Sequence, residues 1–398
     1  MMNKLALSVS LALAAAATPA LANDFTTALK SGKATVDANL RYENVSDDTA
    51  AKDADALTLR TRITYTTGEF EGFSAVVGME DVRVVAGIDD YNAAGLNGKP
   101  EYSVIADPET TELDQGYLAY KNGMFGGKIG RQVIALDGQR FVGHVGWRQD
   151  RQTFDAVSID VTPAKDVAVK YAYIDKRNRI FAEDKDIKSN DHLLNASYKT
   201  SYGTLSGYGY LLEEDTDTEK SYDTWGASFK GGTDLDSVKV LYALEFASQS
   251  YEEEGKEDYD ADYYLVEGGV VYSGITFKLG YEVLGSDDGK GAFQTPLATL
   301  HKFQGWADMF LSTPAEGVED LYFSAGGKLF GGKWAAVYHD FTANESSDTL
   351  DDLGTELDLL YAYKFNDVFS GGVKYAAYSA DDYKADTDKA WVWVGAKF

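Results

Sequence analysis

The stretch from Gly130 to Asp155 is rich in arginine, although the chain as a whole is strongly acidic. The formal net charge is −27, yet this stretch contains Arg131, Arg140, Arg148 and Arg151, with His144 and Trp147 between them. A guanidinium is planar and donates to both oxygens of a carboxylate or phosphate at once. We therefore predict that these residues bind an anionic solute.

The alternative is that the arginines pair with aspartates of the same stretch, namely Asp137, Asp150 and Asp155. This alternative fits Arg151 best, because two of those aspartates lie beside it. It fits Arg140 and Arg148 least, since they adjoin Phe141 and Trp147. On this reasoning Arg140 and Arg148 are the leading candidates for contact with a solute.

The N-terminal residues predict export. Residues 1–22 combine Lys4, an apolar run from Leu5 to Ala17 and an Ala-x-Ala site at Ala20–Ala22, which is the pattern of a secretory signal peptide. We expect the mature chain to form a single domain over residues 23–398. The chain contains no cysteine, which excludes disulfides and thiolate metal sites. No calcium-loop motif occurs either, so we predict neither a metal nor a cofactor.

Alternation of apolar and polar residues indicates β-strands through the rest of the chain. In Ile275–Val283 every second residue is apolar or aromatic, and the residues between them are polar or small. Val238–Phe246, Leu57–Tyr65 and Leu357–Phe365 repeat the pattern. Successive side chains of a strand point to opposite faces, so each strand has one apolar and one polar face.

The lengths of the connections favour a membrane barrel over a soluble sandwich. Short turns, such as residues 121–123 and 201–203, alternate with longer connections. Four of the longer ones are acidic loops expected at residues 213–223, 252–262, 344–354 and 379–389. Long loops at one end and short turns at the other are typical of outer-membrane barrels. The chain also ends on an alternating strand, with Phe398 on the face of Val392 and Val394.

We therefore predict an all-β, transmembrane, antiparallel up-and-down β-barrel of about eighteen strands with inward-folded loops. The expected strand centres are Ala38, Thr61, Val77, Leu118, Ile129, Val157, Val169, Ala196, Gly207, Gly226, Tyr242, Val266, Leu279, Ser324, Ala336, Leu359, Val373 and Val394. An even number of strands places both termini at the same end, which we expect to be periplasmic, with the long loops extracellular.

A barrel of this size leaves an aqueous lumen, so passage of a polar solute is the expected function. By alternation, the lumen wall includes Arg41, Arg60, Arg62, Lys170, Glu245, Lys278 and Glu282. Two stretches rich in apolar and aromatic residues, Leu136–Arg151 and Gly285–Glu319, are expected to fold into the lumen. The second of these stretches contributes His301, Lys302, Trp306 and Asp308 to the candidate site.

Several motifs resemble the alginate-export family of outer-membrane porins. They are GRQ at residues 130–132, RFxGHxxWRQ at residues 140–149 and TFD at residues 153–155. The segment TPLATLHKFQGWADMF at residues 295–310 is similar to a second block of that family. The resemblance implies an eighteen-stranded barrel with a basic constriction, which in the best-known member conducts a polyuronate. Carried over to this chain, that constriction comprises Arg131, Arg140, Arg148 and Arg151.

We expect a porin for passive diffusion of small polar, anionic solutes such as carboxylates or sugar acids. The alternatives are an export channel for an alginate-type polysaccharide, which the acidic loops would repel, and a non-conducting adhesin or structural barrel. No G-x-S-x-G or H-E-x-x-H motif occurs, so we do not expect an enzyme. The expected surroundings are the lipid and lipopolysaccharide of a Gram-negative outer membrane. We expect a monomer, and a pI near 4.4 speaks against binding of nucleic acid.

Overall fold

The computed structural model describes residues 19–216 and 218–398, and its main feature is one closed sheet of eighteen antiparallel strands. In chain order the strands are β1 (Lys33–Asp47), β2 (Ala54–Thr66), β3 (Phe73–Asp90), β4 (Thr110–Asn122), β5 (Phe125–Gln132), β6 (Thr153–Ala164), β7 (Val167–Asn178), β8 (Ile187–Lys199), β9 (Gly203–Glu214), β10 (Lys220–Leu235), β11 (Val238–Glu253), β12 (Tyr259–Tyr272), β13 (Ile275–Leu284), β14 (Val318–Leu329), β15 (Gly332–Ser347), β16 (Leu350–Lys364), β17 (Phe369–Ser379) and β18 (Thr387–Lys397). Every expected strand centre lies within one of them, which confirms the predicted barrel.

The first and last strands close the barrel. Asp37 is paired with Lys397 and Asp47 with Thr387, and the Val36 amide donates to the Phe398 carbonyl at 2.7 Å. Because every strand has two neighbours, no row of backbone donors and acceptors is left open to lipid. The start of β1 and the end of β18 both lie at the end of the barrel that carries the short turns.

The two faces of the wall differ as the alternation predicts. Val392 and Val394 in β18 are 50% and 48% exposed on the outside, whereas Trp391, which precedes Val392, is 1% exposed inside the barrel. Outward-facing residues of other strands, such as Leu279 and Val266, are equally exposed. A continuous exposed apolar band of this kind is what a barrel presents to lipid.

Within the described residues, one helix, α1 (Pro19–Lys30), precedes the barrel, and two single-turn 3₁₀ helices, Glu183–Lys185 and Leu300–Lys302, lie in the loops. The Ala28 carbonyl of α1 accepts the Gly68 amide at 2.9 Å, which ties the helix to the turn between β2 and β3. Residues 1–18 of the predicted signal peptide lie outside the described residues. Among the described residues, no helix is both long and apolar enough to cross a membrane.

Three of the four acidic stretches predicted as long loops, residues 213–223, 252–262 and 344–354, are mostly strand, so that part of the prediction is wrong. β9, β10, β11, β12, β15 and β16 run far into these three and leave only short tips. The fourth stretch, residues 379–389, keeps a loop over residues 380–386. Inward-facing tyrosines explain the extension. The ring of Tyr251 lies 5.0 Å from that of Tyr222 and 4.6 Å from that of Tyr259. Cross-strand aromatic contacts of this kind stabilise the sheet beyond the apolar band.

Three connections are long: loop A (residues 91–109), loop B (residues 133–152) and loop C (residues 285–317). Loops B and C fold into the lumen, as predicted from their apolar and aromatic residues. Loop A was expected only as a long connection between Arg83 and about Thr111, not as a loop that reaches loop B. It packs Tyr91 and Ile105 against Val45 and Ala54 of β1 and β2, and it places Asp107 beside loop B.

Candidate functional site

Loops B and C join inside the barrel and form what we call the partition. Val142 and Leu297 form a parallel β-bridge, and the Gly143 amide donates to the Leu297 carbonyl at 2.7 Å. The Thr299 amide in turn donates to the Gln139 carbonyl at 3.1 Å. Backbone hydrogen bonds between segments so far apart in sequence fix the two loops as one unit.

An apolar core holds the partition against the wall. The Phe141 ring lies 5.3 Å from that of Tyr208 in β9 and 5.1 Å from that of Tyr263 in β12. It also lies 5.7 Å from the ring of Phe293 in loop C. These rings are buried, although they lie inside a barrel whose wall is otherwise polar. The partition is therefore a packed element rather than a loose loop.

Arg140 anchors the partition to β13. It lies in loop B, and its Nε donates to Glu282 at 2.6 Å. Its other nitrogens donate to Thr295 at 3.1 Å and to Gln304 at 3.0 Å, both in loop C. The Phe303 ring lies 4.8 Å from the guanidinium carbon. Glu282, predicted as a pore-lining residue, thus serves as the partner of this arginine.

Arg148 anchors the partition to β1. One of its terminal nitrogens lies 3.0 Å from both oxygens of Glu43, and the other lies 3.0 Å from Asp308 in loop C. Asp107 of loop A also pairs with Arg41 of β1. Burial raises the pKa of Asp107, but Arg41 and Arg148 outweigh it, and the net shift is downward. Three loops therefore meet at one buried set of paired charges.

Arg140 and Arg148 pair with carboxylates from outside their own stretch, partners that the sequence did not suggest. Their side chains are only 3% and 5% exposed, and each has a carboxylate partner from the wall. The local sequence does not reveal these partners, since Glu43 and Glu282 are more than a hundred residues away. The apolar neighbours Phe141 and Trp147 mark burial of the arginines, not their exposure to a solute.

Arg151 lies on the other side of the partition, beside Arg62. Its Nε and one terminal nitrogen donate to the two oxygens of Asp114 in β4 at 2.6 and 2.7 Å. Arg62 of β2 lies 3.3 Å from the same aspartate and also pairs with Glu80. The expected partners of Arg151, Asp150 and Asp155, are thus replaced by a residue from the wall.

Arg131 of β5 lies near this group but on the outward face of the wall. Its neighbour Gln132 is 1% exposed inside the barrel, whereas Ile129, on the face of Arg131, is 58% exposed. Arg131 donates to both oxygens of Asp155 at 2.8 and 3.2 Å, as the self-paired alternative expected. Arg62 and Arg151 lie on the inner side, with side-chain exposures of 11% and 17%, against 3% and 5% for Arg140 and Arg148. We call Arg62 and Arg151 the lumen arginines. Arg60 lies next to them in β2 and pairs with Asp37.

His144 and Asp150 lie at the edge of this group. Burial, and then the guanidinium of Arg151, lowers the pKa of His144. Its Nδ1 is buried without a hydrogen-bond partner among the described residues. Burial, together with the carboxyl groups of Glu112 and Glu80, raises the pKa of Asp150 well above its usual range. Asp150 therefore keeps a proton instead of neutralising Arg151.

A second basic group lies beneath the partition. Lys302 projects from loop C and donates to the Gly138 carbonyl at 2.8 Å. Burial, and then the ammonium groups of Lys230 and Lys278, lowers the pKa of Lys302. Those two wall lysines pair with Glu245 at 2.6 Å and with Glu267 at 2.8 Å, respectively. The predicted lining residue Lys170 pairs with Asp160 of β6.

The remaining predicted residues of loop C surround Lys374 of β17. Lys374 Nζ lies 2.6 Å from His301 Nε2, and Asp308 Oδ1 lies 2.7 Å from His301 Nδ1. The rings of Trp147 and Trp306 lie over the lysine. By alternation Lys374 and Glu43 lie on the polar faces of their strands, but sequence reasoning missed the roles of both. It also missed Asp107 and Asp114, for which the sequence offers no local signal.

This closed barrel, with loops folded into its lumen, defines an outer-membrane porin-type protein. The profile of the family described as "Alginate export" matches residues 30–278, more than half of the chain. The chain therefore belongs to the alginate-export family, as its motifs suggested.

Solved structures of other outer-membrane proteins share the fold at low sequence identity. OpdK of Pseudomonas aeruginosa, determined with vanillate, has a TM-score of 0.71 and 12% identity over 93% of this chain and 99% of its own. OccK9 (OpdG) of the same organism has a TM-score of 0.72 and 12% identity over 93% and 99%. OccAB4 of Acinetobacter baumannii has a TM-score of 0.71 and 12% identity over 92% and 98%. No protein of curated function matches the chain in sequence.

Proposed function

We propose that this protein is a passive outer-membrane channel for small carboxylated solutes, which pass along the lumen arginines. The observation that carries the proposal is the difference in exposure within one stretch of sequence. Arg151 keeps 17% of its side chain accessible, while Arg140 and Arg148 are sealed inside the partition. A solute inside the barrel can reach Arg151 and the neighbouring Arg62, but not the sealed pair.

Exchange of partners gives the lumen arginines a way to pass a carboxylate along. Asp114 holds Arg151 through two parallel hydrogen bonds at 2.6 and 2.7 Å. A solute carboxylate offers the same two oxygens, so it can replace Asp114 without loss of hydrogen bonds. Because each lumen arginine already has a carboxylate partner, we expect a modest preference for anions over cations.

Lys302 supplies a second position for the solute. It lies on the side of the partition that faces the short turns, near Lys230 and Lys278. A carboxylate that leaves the lumen arginines would meet these ammonium groups next. Two separate basic groups that bind weakly suit passage better than one tight site, since a solute must leave as readily as it enters.

The same proposal includes an orientation and an environment. We place the long-loop end outside the cell, the short turns and both termini in the periplasm, and a single barrel in lipid and lipopolysaccharide. In this orientation the acidic strand ends and loop tips surround the entrance. They repel polyanions more than small monovalent anions, because the repulsion grows with the charge of the solute.

Planar-bilayer recording of the purified protein tests the channel. We expect a stable conductance, a reversal potential that indicates anion preference, and block by a sugar acid such as glucuronate but not by glucose. Arg151→Gln and Arg62→Gln should each weaken block and selectivity. Arg83→Gln is the matched control, since Arg83 is 50% exposed and lies on the outward face of β3. Absence of conductance, or block that Arg83→Gln weakens equally, would overturn the proposal.

Export of an anionic polysaccharide is the second candidate, and the family match over residues 30–278 favours it. The same bilayers can separate the two functions. A channel for a polyuronate should be blocked more strongly as oligouronates grow longer. A channel for small solutes should be blocked by the monomer as well as, or better than, by the longer chains.

A further inference from the structure

Lys374 lies in a cage of aromatic rings inside the barrel. Its ammonium nitrogen is 3.8 Å from the ring centroid of Trp306, 4.4 Å from that of Trp147 and 5.3 Å from that of Trp391. A cation placed over aromatic faces is attracted by their quadrupoles, and most strongly where water is excluded. Lys374 is 8% exposed, so this cage is largely dry.

The hydrogen bonds around His301 fix its state. Lys374 Nζ lies 2.6 Å from His301 Nε2, and an ammonium group can only donate. His301 Nε2 must therefore accept, so the proton sits on Nδ1 and is donated to Asp308 at 2.7 Å. The imidazole also stacks on Trp147 at 5.1 Å with an interplanar angle of 7°.

Each side chain of the cage comes from a different part of the barrel. Trp147 belongs to loop B, while His301, Trp306 and Asp308 belong to loop C. Lys374 lies in β17 and Trp391 in β18. We propose that this cage is a latch, in which Lys374, His301 and Asp308 hold the partition against β17 and β18, and that breaking the latch frees loop C and widens the channel.

Charges on every neighbouring element face the latch. Asp308 also accepts from Arg148 of loop B at 3.0 Å and from Lys389 of β18 at 3.1 Å. Asp358 and Glu356 of β16 face Lys374 from the other side. The backbone amides of Trp306 and Ala307 donate to these two carboxyl groups at 3.2 and 2.7 Å. Loop C is thus tied to β16 as well as to the latch.

Acid is one way to break the latch. Burial, with Lys374 opposing the added charge, lowers the pKa of His301 to about 3 against an ordinary 6.5. A proton on Nε2 would point at the Lys374 ammonium and remove its acceptor. His301 takes up a proton more readily when loop C is free. The equilibrium constant for freeing loop C therefore rises by up to about tenfold for each pH unit below the ordinary pKa of His301. The pKa of Asp308 is lowered well below its usual range: burial alone raises it, but His301, Lys389 and Arg148 outweigh burial. Asp308 therefore stays charged across this window.

The absence of cysteine allows a direct measurement of loop C. Ala307 is buried in the partition, so a cysteine placed there by Ala307→Cys should resist a thiol reagent while the latch is closed. Adding Lys374→Ala should raise the labelling rate about tenfold or more at pH 7, as expected for loss of a desolvated cation–π contact. It should also raise the single-channel conductance. Lys333→Ala, at the short-turn end of β15, is the matched control and should change neither.

His301→Gln tests the acid response separately. A glutamine amide can accept from Lys374 and donate to Asp308, but it takes up no proton in this range. We expect labelling of the wild-type background to accelerate between pH 6 and pH 4, and that of His301→Gln to stay flat. Equal labelling with and without Lys374, or an acid response that persists in His301→Gln, would overturn the latch.

The conductance readout alone rests on the proposed channel function. Thiol labelling in vesicles does not depend on it. A barrel that conducts nothing but still shows faster labelling in Lys374→Ala would therefore refute the channel and support the latch. If Lys374→Ala fails to fold, His301→Gln retains both hydrogen bonds and still decides the question.

Discussion

Arg140 and Arg148 on one hand, and Arg151 on the other, show how one short stretch of sequence divides into two roles. The first two are buried and hold loops B and C to β13 and β1. Arg151 keeps 17% of its side chain accessible beside Arg62. All three have carboxylate partners, so pairing does not distinguish them. Accessibility does, and it depends on where the loop turns inside the barrel.

The largest expected effect comes from breaking a buried pair. Arg148→Met removes the group that joins Glu43, Asp107 and Asp308, and it leaves these carboxylates short of positive charge. Loss of one partner of a buried ion pair costs about 3–5 kcal/mol. We expect a loss of that size in the free energy of unfolding in lipid vesicles. Arg83→Met, on the outward face, should change the unfolding free energy by less than about 0.5 kcal/mol. Similar losses for the two variants would show that Arg148 is not an anchor.

A smaller effect is expected at the lumen arginines. Arg151→Gln removes one positive charge near the solute path but leaves the partition in place. A unit charge about 6 Å away in a watery lumen is worth roughly 0.7 kcal/mol, or about threefold in permeability ratio. The ratio of anion to cation permeability, measured from the reversal potential in a salt gradient, should fall by about that factor. A fall of the same size in the Arg83→Gln control would show that the change in permeability ratio does not arise from the charge of Arg151 in the lumen.

Asp114→Asn should act in the opposite direction. The change frees Arg151 from its bidentate partner and removes one negative charge from the lumen wall. We expect anion preference to rise by about threefold or less, because water screens part of the added field. Glucuronate should also block at lower concentration. No change in either quantity would mean that solutes do not pass near Arg151.

The smallest effect concerns Asp150. The raised pKa means that the folded protein keeps a proton that the unfolded chain releases above its ordinary pKa near 3.8. Folding stability therefore falls as pH rises through the window between these two pKa values. Asp150→Asn removes this penalty and should stabilise the protein at pH 8 by roughly 0.5 kcal/mol or more, with a smaller gain at pH 4. Denaturant titrations at the two pH values measure the difference. An equal gain at both pH values would show that Asp150 does not keep a proton in the folded protein.

The strands were predictable from the sequence because alternation acts residue by residue. The alternation within Ile275–Val283 is enough to identify its apolar face and its polar face, without information from any other part of the chain. The same rule placed Arg41, Arg62 and Lys374 on the inner face. Loops B and C were predictable for a related reason, since Phe141, Phe293 and their neighbours require burial that the acidic tips cannot provide.

The pairing inside the barrel was not predictable in the same way. Glu43 meets Arg148, and Asp114 meets Arg151, only because the closed wall and the path of loop B bring them together. No periodicity encodes such contacts, and the nearest aspartates in sequence suggested the wrong partners. The acidic strand extensions were missed for another reason. Their outward charges suggested loops, while the inward tyrosines Tyr222 and Tyr251 carried the strand signal.

Closure of β1 on β18 also determines how the folded protein unfolds. A sheet without an edge has no end from which it can fray, so unfolding must begin by separating two fully paired strands within lipid. That step has a high barrier, so the lifetime of the folded barrel depends on the rate of unfolding rather than on the free energy of unfolding. Unfolding and refolding curves should show hysteresis, with the folded form surviving in denaturant well beyond the concentration at which unfolded chains can insert.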